Sequence, residues 1–376
     1  MKIYCISEGE LHIIENSKAT RVECQRVTNY LETLQRMKQR DEWKTTGKGA
    51  KFMNVEQKDY GDETAHGEPL LRSLGNFGDK LLYCTFTDGM GGLYRKDTDS
   101  NDESYIFANK EYDLTGINSN GNKCVLTCAM GRYERHIGIV NMENGDVSLI
   151  TEGFTSESHP FISKKDSNKI FYTAMGYARN QSGAVVEKSP CSICWYDENA
   201  GTLDELVAND GFDYIKPSDD NDGNLYYIKR KYEPTKKESN LLMDILLFPY
   251  RIIKAIGGFL SVFSMAFGGE PLRTGGRNPA KSRTADEREL FVEGNLIKAQ
   301  RISENSDEGI IPSDWVLIKN TRGEEDVLKR SVMDYRITDS GDIVYSNGNA
   351  VRILHKDGKD EKLCKLKLAN HITIIE

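Results

Sequence analysis

The chain has 376 residues and a net charge of −8, with 38% hydrophobic and 29% charged residues. That length admits one large domain or two to three ordinary ones. The acidic balance argues against a general nucleic-acid binder, whose domain carries a concentrated Lys/Arg face.

The start, Met1-Lys2-Ile3-Tyr4-Cys5, passes directly into Ser7, Glu8 and Glu10 with no basic segment followed by an apolar core, so the sequence reads as cytoplasmic. Residues 25 to 67 read as an insertion that is helical at first. Asn29 with Glu32 forms a candidate N-terminal cap, and Tyr30, Leu31, Leu34 and Met37 make one apolar face that covers part of the fold. Within it, Thr45-Thr46-Gly47-Lys48-Gly49-Ala50 fails as a phosphate loop. It lacks the earlier Gly, and no Ser or Thr follows Lys48.

Five segments then obey one pattern, a polar residue, three mostly large apolar ones and a small or polar one. They are residues 80–84, 123–127, 169–173, 224–228 and 342–346, anchored on Tyr83, Leu126, Tyr172, Tyr227 and Tyr345, and Ile3-Tyr4-Cys5 adds a sixth member. Three successive anchor spacings are 43, 46 and 55 residues, the length of one four-stranded propeller blade. Flanking signals complete each blade as an antiparallel meander. His159 to Ser163 precedes Lys169 to Thr173, Ser192 to Tyr196 and Thr202 to Val207 follow, and Asn144-Gly145 and Asp357-Gly358 mark hairpins. The last repeat leaves Ile372 to Ile375 as one strand too many, while the N-terminus lacks an inner strand. The expected fold is therefore all-β: a single domain over 1–376, a six-bladed β-propeller closed by the C-terminal strand pairing in the N-terminal blade, which removes exposed sheet edges.

Ser158-His159-Pro160-Phe161-Ile162-Ser163 with Asp166 to Thr173, and more weakly Lys216-Pro217-Ser218 with Asp222-Gly223-Asn224-Leu225-Tyr226-Tyr227, resemble the Ser-Pro then Asp-Gly hairpin of the TolB-like, WD-repeat-like propeller family. The resemblance covers the repeats and not the insertions. It implies a scaffold that binds other proteins.

A second insertion, residues 232–312 within one blade, departs from this pattern. Leu241 to Phe267 is apolar except for a narrow stripe of Asp244, Arg251, Lys254, Gly258, Ser261 and Met265 on a helix. Three charges inside a membrane span would cost roughly 2.5–3.5 kcal/mol each, against roughly 0.3–0.6 gained per large apolar residue. Both flanks also return to one sheet. An in-plane amphipathic helix or hairpin fits better. The contact residues are Leu241, Leu242, Ile245, Leu246, Phe248, Ile252, Ile253, Ile256, Phe259, Leu260, Phe263 and Phe267, with Lys236, Lys237, Arg251, Lys254, Arg273 and Arg277 as a basic flank. From Lys229 to Arg283 there are eleven basic and four acidic residues, which suits an anionic membrane surface. A protein partner, a second copy of the chain and internal burial are the other candidate neighbours.

No linear catalytic motif emerges. Cys191-Ser192-Ile193-Cys194 has metal or redox spacing but lacks a second ligand pair, and Cys124 and Cys128 read as core. All eight cysteines are expected to be reduced apolar fillers. The acidic stretches 97–102 and 219–223 miss the glycine or the closing Glu of a calcium loop and read as solvated turns. Six histidines form no motif. Neither a cofactor, a metal nor a catalytic residue is expected. The leading expectation is a noncatalytic scaffold, cytoplasmic and peripheral at a membrane. The rivals are an enzyme with its site at the channel mouth, and a periplasmic TolB-like protein.

Overall fold

A computed structural model describes residues 1–45, 70–131, 133–179, 185–233, 289–292, 295–298 and 309–376. Strands β1 (Lys2–Ser7), β2 (Glu10–Glu15) and β3 (Lys18–Arg21) precede helix α1 (Gln25–Thr45). A second sheet has β4 (Leu71–Phe77), β5 (Lys80–Thr87), β6 (Met90–Lys96) and β7 (Glu103–Asn109). A third has β8 (Asp113–Asn120), β9 (Lys123–Met130), β10 (Glu134–Val140) and β11 (Val147–Leu149). In the fourth, β12 (Thr155–Ile162) and β13 (Lys169–Arg179) are followed by β14 (Val185–Lys188), which pairs only with the far end of β13, and then by β15 (Ser192–Asp197) and β16 (Thr202–Val207). The fifth starts with β17 (Phe212–Asp219) and β18 (Leu225–Lys231). A separate hairpin, β19 (Glu289–Val292) with β20 (Asn295–Lys298), comes before it resumes with β21 (Val316–Thr321) and β22 (Glu324–Arg330). The sixth has β23 (Asp334–Ile337), β24 (Ile343–Ser346), β25 (Ala350–Leu354) and β26 (Asp360–Lys365), and the last strand is β27 (Asn370–Ile375).

Within each sheet, neighbours in sequence pair antiparallel, and one parallel bridge, Arg135 to Ser156, joins the third and fourth sheets. β27 pairs antiparallel with β1, Ile374 opposite Ile3, so the first sheet draws its strands from both ends of the chain. The anchors Tyr4, Tyr83, Leu126, Tyr172, Tyr227 and Tyr345 all lie in the strand next to the innermost one of their sheets, and all are buried.

Side chains alternate across a strand, and here the alternation gives each sheet two apolar faces. Tyr83 joins Tyr4 and Ile6 of the first sheet, while Leu82 and Cys84 join Leu114 and Leu126 of the third. Separate clusters likewise fill the third-to-fourth, fourth-to-fifth and fifth-to-sixth gaps. A further cluster joins Val344, Val351 and Ile353 of the sixth sheet to Ile3, Cys5 and Ile14 of the first.

Two expectations need correction. α1 begins at Gln25, so Asn29 lies inside it. The cap is supplied from a distance by Glu103, whose carboxylate accepts the amides of Gln25 (3.0 Å) and Arg26 (3.4 Å). A carboxylate suits the positive end of the helix dipole, and sequence-local reasoning had no view of it. The apolar face of α1 covers the sheets only in part: Leu31 and Met37 are each 48% exposed, Tyr30 and Leu34 are half-buried, and Cys24 and Val27 by the helix start make the packing contacts.

Candidate binding site among the inner strands

The innermost strands β27, β4, β8, β12, β17 and β23 face a central space, and most share one irregularity. Pairing shifts register in β4 between Leu71 and Ser73, in β8 between Leu114 and Gly116, in β12 between Ser158 and Phe161, and in β17 between Ile215 and Ser218. The β27–β1 pairing shifts between Tyr4 and Ile6. A bulge re-aims a side chain and bends the strand. In three of these bulges a non-glycine residue takes a left-handed backbone: His159 (φ 52°), Lys216 (φ 55°) and His371 (φ 51°). Such residues cost about 1–3 kcal/mol each and persist where surroundings hold them. In β12 and β17 the next residue is Pro160 or Pro217, which has no amide to offer the ladder.

Polar ties run from strand to strand around the space. Arg72 of β4 grips Asp113 of β8, Nε to Oδ1 at 3.0 Å and an Nη to Oδ2 at 2.7 Å. Asn118 of β8 accepts the Ile162 amide of β12 at 2.8 Å. Thr173 Oγ1 of β13 accepts the Lys216 amide at 3.2 Å and lies 3.4 Å from His159 Nδ1. Lys216 Nζ donates to Asp334 Oδ1 of β23 at 2.9 Å, and the Tyr335 hydroxyl donates to the Lys216 carbonyl at 2.7 Å. Asp334 Oδ2 accepts the Ile372 amide of β27 at 2.8 Å, and the neighbouring His371 Nδ1 lies 3.2 Å from Ser73 Oγ of β4, which completes the circuit.

At one end of the space, the turns that leave the inner strands enclose a cavity of about 760 Å³, lined among others by Asn76, Phe77, Asn120, Phe161, Lys164, Arg336 and Asp339. Behind Lys164, Asp219 is buried and accepts Ser163 Oγ (2.5 Å) and the Lys164 amide (2.7 Å). Burial outweighs these hydrogen bonds and raises its pKa. The expectation of a solvated turn at 219–223 therefore fails at Asp219, which ties the fourth and fifth sheets together. Among the described residues, no group of three or more His, Cys, Asp or Glu is placed to hold a metal ion.

Nearer the other end of β12, His136 sits between two carboxylates, with Nδ1 3.0 Å from Glu157 and Nε2 3.4 Å from Glu134. Burial pushes the imidazole pKa down, but the two carboxylates outweigh it, and the net shift is upward.

Cys191 and Cys194 face different apolar clusters, and all eight cysteines are free. Burial pushes the thiols of Cys24, Cys124, Cys128 and Cys191 up to about 12. These are unreactive core groups rather than a redox or metal pair.

The predicted contact residues, Leu241, Leu242, Ile245, Leu246, Phe248, Ile252, Ile253, Ile256, Phe259, Leu260, Phe263 and Phe267, lie outside the described residues. So do the basic flank, Lys236, Lys237, Arg251, Lys254, Arg273 and Arg277, and the loop from Thr46 to Ala50. What the fold brings together instead is His159, Lys216, Asp334, His371, Ser73 and Thr173, none of which was singled out for a site. The available signal was the pair His159-Pro160 and Lys216-Pro217, each in a strand pattern where proline breaks the ladder.

No protein-family model matches the chain, and no curated protein matches it. Among solved structures, TolB from Acinetobacter baumannii is similar at 12% identity with a TM-score of 0.49, covering 99% of this chain and 66% of that one. The tricorn protease is similar at 15% identity and a TM-score of 0.47, over 98% of this chain and 33% of that one. A putative TolB from Agrobacterium tumefaciens is similar at 15% identity and a TM-score of 0.35, over 79% and 82%. The chain thus spans just under two thirds of the first of these proteins and a third of the second.

Proposed function

We propose that the chain is a TolB-like six-bladed β-propeller that acts as a binding scaffold, with the space between the inner strands as its central channel. The observation that supports this reading is the set of six apolar clusters, one between each pair of successive sheets, with the sixth joining the last sheet to the first. A ring so tied has little freedom to rearrange and presents turns from every blade around one mouth, which suits capture of another protein.

The TolB-like reading, with the periplasm as its compartment, takes precedence over the cytoplasmic, membrane-tethered one. The tethered reading depends on residues 241–267, outside the described part, whereas the scaffold depends on sheets that are described throughout. Co-sedimentation of the purified chain with neutral and anionic vesicles, beside a variant lacking residues 240–268, separates the two. A TolB-like scaffold stays in the supernatant with either variant. Pelleting that needs the segment and weakens with salt would replace it with the tethered reading.

A second reading, an enzyme at the channel, draws on one observation: two histidines and a lysine held in left-handed conformations on the channel wall. Incubation with broad panels of ester, peptide and glycoside substrates tests it, and turnover abolished by both His159→Ala and His371→Ala would establish it.

A further inference from the structure

Arg336 stands out within the cavity of about 760 Å³. It lies on β23 two residues beyond Asp334, on the same strand face, and its guanidinium carbon is 5.2 Å from the centre of the Phe161 ring. No hydrogen bond or ion pair with a described residue engages that guanidinium. The carboxylate that acts on it most, Asp334, is already taken by Lys216 and the Ile372 amide.

The other cations on the cavity wall are already engaged, and Asp79, Asp339 and Glu376 are its carboxylates. Lys164 pairs with Asp339 at 3.0 Å, Lys80 turns to Asp97 at 3.1 Å, Glu376 accepts the Asp339 amide at 2.8 Å, and Arg95 donates Nε to Ser104 at 3.2 Å. Arg336 therefore retains an uncommitted cationic fork inside a partly enclosed cavity. Stacking on an aromatic ring occupies one face of a guanidinium and leaves its donor edge free for a bidentate contact. The volume falls within the range of small-molecule pockets, and the Asn120, Asn122 and Asn221 side chains at its rim supply neutral donors and acceptors.

We infer that this cavity binds a small anionic molecule whose carboxylate or phosphate group docks on Arg336 above Phe161. The inference goes beyond the scaffold reading and stands whether or not a protein docks on the ring.

The test is isothermal titration of the full chain with succinate and, separately, with inorganic phosphate, repeated on Arg336→Met and Arg336→Lys. Circular dichroism and the unfolding midpoint establish that each variant is folded. Saturable binding is expected for at least one probe, at least tenfold weaker in Arg336→Met and only partly retained in Arg336→Lys, where the charge remains without the fork. The tighter probe assigns the ligand group, succinate a carboxylate and phosphate a phosphoryl group. Absence of saturable binding by both probes would overturn the site, as would equal binding by a folded Arg336→Met. If the Met variant does not fold, undiminished affinity in Arg336→Lys overturns it. The vesicle experiment reads neither probe, so failure of the site and failure of the scaffold reading remain distinguishable.

Discussion

A few charged residues of this protein are buried in pairs, Lys96 with Glu103, Lys216 with Asp334 and Arg230 with Asp213, and their loss should be felt according to what they leave behind. Lys216 and Asp334 are each less than 10% exposed. Removing the carboxylate in Asp334→Ala takes away the counter-charge of the buried Lys216 ammonium and the acceptor of the Ile372 amide, so a loss of about 3–5 kcal/mol is expected in denaturant unfolding. The double variant Lys216→Met with Asp334→Leu should recover part of it, since an apolar pair leaves no uncompensated charge. His136 gives a pH dependence. Its folded pKa is raised above the ordinary value of about 6.5, so its stabilising contribution is complete below that value and is lost as pH rises through the higher folded one. Unfolding midpoints of the wild type and His136→Gln, measured from pH 5.5 upward, should converge as pH increases. A gap that widens instead would exclude a buried imidazolium between Glu134 and Glu157.

At the scale of the element, the tyrosine that marks the repeat has a second use. The hydroxyl of Tyr83 donates to Glu103 at 2.5 Å, that of Tyr227 to Glu325 at 2.7 Å, and that of Tyr345 to Asp360 at 2.8 Å. Each carboxylate lies in the first two residues of the outermost strand of its sheet and is met by a cation: Lys96, Lys229 and Arg352 respectively. The apolar anchor was legible because burial forces a large residue to recur at blade spacing. The carboxylate was not, because its partner lies two strands away and an acidic residue at a strand start reads as solvent-facing. For Glu103 this linkage also reaches α1, so Glu103→Ala should both leave Lys96 buried without its counter-charge and fray the helix start. The expected loss is about 3–5 kcal/mol, with reduced helical signal in circular dichroism. Tyr345→Phe, which removes one hydrogen bond while Arg352 still holds Asp360, should cost only about 0.5–1.5 kcal/mol.

For the whole molecule, the order of strands and the use of the last one were readable from the ends: one surplus strand at Ile372 to Ile375, one missing before Ile3. The polar ties among the inner strands were not readable, because their residues come from separated strands and several owe their direction to bulges. His159 and Lys216 sit in the very motifs that carry the family resemblance, yet only the register shift explains why each precedes a proline. The eight free cysteines, seven of them buried, give a whole-molecule readout. A thiol reagent should label essentially none in the native chain and all eight after denaturation, and rapid native labelling of Cys191 would mean the fourth and fifth sheets open far more readily than their shared core allows.

The pairing of β27 with β1 also has a consequence for synthesis. In the chain β27 (Asn370–Ile375) follows β1 (Lys2–Ser7) by more than 360 residues, so the β1 edge is made long before its partner. At roughly 5–20 residues per second that edge waits on the order of 20–70 s. Through that interval Tyr4, Ile6 and Leu11 can pack against the second sheet, but the backbone of β1 stays open to any other strand in reach, so chaperone dependence should concentrate there. Shortening the chain to end at residue 369 makes the wait permanent, and the product is expected to aggregate during expression.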